Sequence, residues 1–124
     1  MGTKEFYNNL VQSLRLAASP YEIQITSMPA FVEIPDEIAL LFSDAYLMAP
    51  NLQEDGMISS QALIMLNELE KELNEMSEDK SLWTLESLQK NSLWSKIRGI
   101  ARTILTELKE PYDKPNLDFV DWVK

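Results

Sequence analysis

Neither histidine nor cysteine occurs anywhere in the chain. Their absence excludes Ser-His-Asp and Cys-His nucleophile pairs, thiolate chemistry, histidine-based zinc sites and the Glu-x-x-His arrangement of di-iron bundles. It also excludes disulfides, so packing alone must hold the fold. That suits a reducing compartment, and a cytoplasmic location is the default expectation. The three glycines, at 2, 56 and 99, are too scattered for a phosphate-cradling loop. No apolar run reaches the ~20 residues of a bilayer-spanning helix. The longest, at residues 38–50, is interrupted by Ser43 and Asp44. Residues 1–16 are amphipathic, with Glu5, Asn8, Asn9, Gln12 and Arg15 spread through them, and do not read as a secretory signal.

Acid dominates what is present. Residues 33–79 hold 12 acidic side chains and one basic one, Lys71, while the whole 124-residue chain carries −9. Residues 80–109 invert the balance, with six basic residues against Glu86 and Glu107. A net charge of this sign disfavours nucleic acid as a ligand and favours a basic protein partner. Apolar content of 45% with 25% charged residues is that of an ordinary globular chain, most simply one domain over 1–124.

The pattern predicts an all-α protein, a bundle of four or five helices with an extended connector near residues 21–34. Residues 3–18 form the first helix, with Phe6, Leu10, Val11 and Leu14 on one face, ended at Pro20. Tyr21, Ile23 and Ile25 alternate with Glu22 and Gln24, a short strand-like pattern leading into the connector. Asp36 is the expected N-cap of a helix over 37–48. That helix is apolar nearly all round and so is expected in the core. Residues 50–56 read as a loop. Ser59 or Ser60 starts a helix to 76 in which Ala62, Leu66, Leu69, Leu73 and Met76 are spaced four and three apart. A short helix covers 82–89. Asn91 or Ser92 starts the last helix, to about 109, where Trp94, Ile97, Ala101, Ile104 and Leu108 repeat that seam. Matching seams make these two helices antiparallel neighbours. Gly99, within the second, costs ~1 kcal/mol against alanine, and close helix approach is the expected reason. The tail over 111–124 holds Leu117, Phe119, Val120, Trp122 and Val123 and is expected to pack back on the bundle.

Carboxylates are what remains for catalysis. Glu72 and Glu75 lie three apart on one helix face, and Glu110 and Asp113 repeat the spacing around Pro111. Helical magnesium-dependent nucleotide pyrophosphohydrolases carry paired acidic motifs of this look, which makes such an enzyme the alternative function. The second motif lies past a helix end, however, and the first is what a solvated glutamate-rich face also presents. No metal or cofactor is therefore expected. Arg98 and Arg102, one turn apart, are expected to pair with Glu70, Glu72 and Glu75 on the acidic helix. For a binding protein the candidate contacts are Asp44, the one charge within an apolar helix, Glu54 and Asp55 in a loop, Tyr46 on the same helix as Asp44, and Trp122 in the tail.

The acidic-apolar stretch PDEIALLFSDAY at 35–46 and the run SLWSKIR at 92–98, in a small acidic helical chain without cysteine, resemble the immunity proteins that bacteria encode beside polymorphic or contact-dependent toxins. The similarity is one of type over the helical body, and it transfers no site residue. It implies a non-catalytic protein that neutralises a basic toxin domain by covering its surface. Other helical regulatory proteins fit the same description, and oligomeric state stays open.

Overall fold

The apolar stripes of the sequence become four long helices that close into a ring. In the computed structural model, which describes residues 2–122, these are α1 (Thr3–Ala18), α3 (Ile34–Tyr46), α5 (Ser60–Met76) and α7 (Ser92–Glu107). Three short helices occupy the connections: α2 (Tyr21–Thr26), α4 (Ala49–Glu54) and, after a 3-10 turn at Lys80–Leu82, α6 (Leu85–Lys90). No strand occurs among the described residues, and no helix there is long and apolar enough to cross a membrane.

Side-chain bonds between the long helices fix their directions. Ser59 donates to Glu107 at 3.3 Å and Lys96 to Glu72 at 2.9 Å, so α5 and α7 run antiparallel, as their matching seams predict. Ser43 reaches Glu70 and Tyr46 reaches Asn67, which makes α3 and α5 antiparallel as well. Helix α1 contacts both α3 and α7. The result is an up-down-up-down bundle whose core holds Leu10, Leu14, Ile38, Phe42, Leu66, Leu69, Trp94 and Ile104, all fully buried. Trp94 donates its indole N–H to the Leu82 carbonyl at 2.7 Å and meets Trp83 edge-on at 5.3 Å, closing the α5–α7 end.

Ser59 and Asn91 cap α5 and α7, their side chains accepting from the amides of Ala62 and Leu93. Several expectations change. Residues 21–26 of the connector are helical rather than extended. Glu33, not Asp36, precedes α3, and Pro35 sits in its first turn, where a missing N–H leaves no bond unmade. Residues 50–54, expected as loop, belong to α4, with Pro50 again in the first turn. Gly56 follows the C-cap of this helix, and its φ of +77° is the left-handed conformation glycine adopts freely. Nor is α3 enclosed: its inward side buries Ile38 and Phe42, while Leu40 and Leu47 are 53% and 73% exposed.

The C-terminal end of α1 is buried, with Ala17, Ala18 and Ser19 shut away from solvent. A helix end leaves its last carbonyls without intrahelical donors, and here water cannot supply them. Side chains do. Gln24 of α2, itself fully buried, donates its amide to the carbonyls of Leu16 and Ala17 at 3.1 and 3.3 Å. Arg102 donates Nε–H to the Ala18 carbonyl at 3.0 Å. Arg98 donates to the Ser19 carbonyl at 3.2 Å, the Gln24 Oε1 at 2.9 Å and the Leu88 carbonyl at 2.6 Å. The two arginines thus hold helix ends, where a positive charge meets the negative pole of the helix dipole. They do not pair with Glu70, Glu72 and Glu75 as the sequence reading expects.

Lys109 follows α7 in the left-handed region, φ 60°, and the Glu110 amide returns to the Leu105 carbonyl at 2.9 Å. This turn sends the chain back along α1. Arg15 donates to the Pro111 carbonyl at 3.1 Å, the Asn116 amide donates to Gln12 at 2.8 Å, and Leu117 is buried. Glu110 accepts from the Tyr7 hydroxyl at 2.8 Å and lies 3.6 Å from Arg15.

Two tests follow from these contacts. Replacing Arg98 by leucine strands three acceptors, so urea denaturation should show a loss of roughly 3 kcal/mol or more. Arg98→Lys should recover only part, since an ammonium lacks the planar fork. A loss below about 0.5 kcal/mol for the leucine variant would mean the arginine caps nothing of consequence. Burial first, and then the Glu110 carboxylate, push the Tyr7 phenol up from 10.0 to about 12. The neutral phenol therefore favours the folded state fully below pH 10.0, and that contribution is lost as pH climbs towards about 12. Stability of the wild type should fall more steeply across that interval than that of Tyr7→Phe. Parallel curves would unlink this phenol from folding.

Candidate partner-binding site

Asp44 stands where three parts of the chain meet. Its helix, α3, runs beside the first turns of α1, and the tail returning along α1 covers the joint. Between them lies a cleft of about 310 Å³ whose walls are Phe6 and Asn9 from α1, Asp44 and Met48 from the α3 end, and Phe119 and Val120 from the tail. Asp44 is exposed, while Phe119 is a partly open aromatic at the mouth. Asn9 has its Oδ1 buried without a hydrogen-bond donor, an arrangement folded proteins rarely leave unexplained. One exposed acidic group beside largely apolar side chains suits a side chain with an aliphatic stem and a cationic head.

On its other side Asp44 has Leu40 and Leu47 for neighbours. Spacings of four and three residues put all three on one outward face of α3. The carboxylate therefore stands between two exposed leucines as well as at the cleft rim.

The other sequence candidates divide. Glu54 is the last residue of α4 and Asp55 its C-cap, so neither is in an open loop as expected, yet both are exposed. Asp55 accepts from the Thr3 hydroxyl at 3.0 Å, which places it at the start of α1, one turn from Phe6 in the cleft. Asp44 and Asp55 thus share one end of the bundle. Tyr46 is half-buried, stacked at 5.8 Å on Phe42, with its hydroxyl on Asn67, so its polar group already has an internal partner. Trp122 is half-buried and packs against the core cluster. Phe6 on α1 reads from the sequence as core, and Phe119 and Val120 read only as an apolar tail that packs back, so neither marks the cleft.

The acidic pairs are not brought together. Glu72 bonds Lys96, whose ammonium is held above its usual range first by that hydrogen bond. Glu110 is engaged by Tyr7 and Arg15. Among the described residues no group of three or more acidic side chains converges as metal ligands would. No protein-family model, curated protein or solved structure matches the chain.

Isothermal titration with Mg²⁺ should give no saturable heat, and Glu72→Gln should leave the trace unchanged. Stoichiometric binding lost in that variant would restore the hydrolase alternative.

Proposed function

We propose that this protein is a non-catalytic binding module for a basic protein, in its most specific form an immunity-type protein that neutralises a basic toxin domain. The observation that carries the reading is Asp44, a solvent-facing carboxylate set between Leu40 and Leu47 and over an apolar cleft. In this reading a lysine or arginine of the partner lays its methylenes against Phe6, Met48 and Phe119 and its charge on Asp44. Asp55 and Glu54, at the same end, extend the negative field.

The division of labour is physical. Long-range attraction between an acidic end and a basic partner raises the encounter rate and falls with salt. Apolar contact in the cleft and at the leucines slows dissociation and depends on salt much less.

A short amidated arginine peptide, titrated against the labelled protein by NMR, tests the site. Saturable shifts should centre on Phe6, Asn9, Asp44 and Phe119 and vanish in Asp44→Lys. Shifts centred on the glutamates of α5 would move the site away from the cleft, and non-saturating shifts throughout would defeat the reading. With a basic toxin domain encoded beside this gene, reversing Glu54 and Asp55 to lysine should slow association at low salt without lowering the melting temperature. It should also weaken protection of cells expressing that domain.

A further inference from the structure

Along α3 and its C-cap the exposed residues are Asp36, Leu40, Asp44 and Leu47, alternately acidic and apolar. Spacings of four, four and three make them one ridge, and a row of every fourth residue crosses a helix obliquely. A depression lies at each side of the crossing. Asp36 and Leu40 wall one of about 380 Å³ with Ser77 and Trp83, at the joint with α5. Trp83 donates its indole N–H to the Met76 carbonyl at 3.0 Å, which fixes the ring in that wall. Asp44 walls the other, the cleft against α1 and the tail.

The fold itself accounts for little of this ridge. The helix dipole favours a carboxylate at Asp36, in the first turn, but disfavours one at Asp44, in the last. No lysine or arginine lines either depression, and neither ion pair among the described residues engages Asp36 or Asp44. The groove between α5 and α7 differs. Close helix approach, the expected reason for Gly99, does not occur there, since a Cβ would meet nothing within 4 Å. Its charges already satisfy each other, Lys96 being held by Glu72 at 2.9 Å. The charges left open to a partner are those of α3.

Their spacing says what form the partner takes. Asp36 and Asp44 stand two turns apart, roughly 12 Å along the axis, with Leu40 midway. An extended segment would need a sheet edge for its backbone, and no strand occurs among the described residues. A helix satisfies its own backbone and packs by laying its ridges beside those of its neighbour. We propose that α3 receives an amphipathic basic helix of the partner protein. Two cations about seven residues apart on that helix meet Asp36 and Asp44, and an apolar residue midway between them covers Leu40. This rests on the reading of Asp44 as the contact for a basic protein. It adds a second carboxylate, a second depression and the conformation of the bound segment.

Two amidated alanine-rich peptides of one composition test it. The first carries its two lysines two turns apart with leucine midway, and the second has the lysines adjacent. The spaced peptide should bind saturably and roughly tenfold tighter or more, gain helical circular dichroism on binding, and shift the NMR signals of Asp36, Leu40 and Asp44. Asp36→Lys should weaken it by a similar factor, and glutamate in place of one peptide lysine should recover that affinity. Should Asp36→Lys fail to fold, Leu40→Gln carries the same test, since its side chain is exposed. Equal affinity for the two peptides, binding without gain of helix, or indifference to both Asp36→Lys and Leu40→Gln overturns the proposal. If the arginine peptide still binds in an Asp44-dependent way, the reading of Asp44 survives that result. If no peptide depends on Asp44, both fall.

Discussion

The bundle depends on how the buried end of α1 is closed. A helix ending in the core leaves carbonyls that neither water nor its own amides can satisfy. This chain meets the demand with one amide and two guanidinium groups drawn from different elements, so the closure couples α1 to α2, α6 and α7 together. Arg98 loses hydration on burial, which lowers its pKa, and the neighbouring Arg102 adds to that, against the pull of Glu22. It stays protonated nonetheless, because guanidinium starts so far above physiological pH. Its partners are oxygen dipoles rather than a carboxylate, and the two backbone carbonyls among them lie at helix ends whose dipoles favour a cation.

That use of the arginines decides what the acidic segment does. Had they paired with the glutamates of α5, the two charge blocks of the sequence would neutralise each other inside the bundle. Instead the ion pairs among the described residues are Lys96 with Glu72 and Arg15 with Glu110, and most of the acid stays on the surface without a compensating cation. The negative field is therefore a property of the folded molecule and not only of its composition.

The long helices were legible because three signals agreed: apolar spacing of three and four, capping side chains at Ser59 and Asn91, and Pro20 after α1. Proline misled where it begins helices rather than ending them. An N-cap at Asp36 and a loop at 50–56 place Pro35 and Pro50 outside helices, yet both lie in first turns, where the ring fixes a suitable φ. The alternation at 21–25 misled for a different reason. A strand needs a partner, and none occurs among the described residues, whereas the same segment as a helix delivers Gln24 to the open carbonyls of α1. Local pattern yielded to a tertiary demand that no window of sequence contains. Asp44 was legible as a charge in an apolar helix. Its cleft was not, because two of its walls arrive on a tail whose path depends on the left-handed turn at Lys109.

A ring of four helices also explains why α3 shows its leucines. Each member of such a ring turns only part of its circumference inward, so a helix apolar nearly all round must present the remainder outside. For a lone monomer this is a liability, since exposed apolar area favours association. The charge at Asp44 changes its character. A carboxylate between Leu40 and Leu47 keeps the stripe hydrated and repels like-charged neighbours, including other acidic chains. A partner that brings a cation removes that repulsion and covers the leucines in the same step. An acidic surface alone gives speed of encounter, and an apolar surface alone gives indiscriminate adhesion. In the proposed function the two together on one face make burial of the leucines conditional on a positive charge, as selectivity for a basic protein would require.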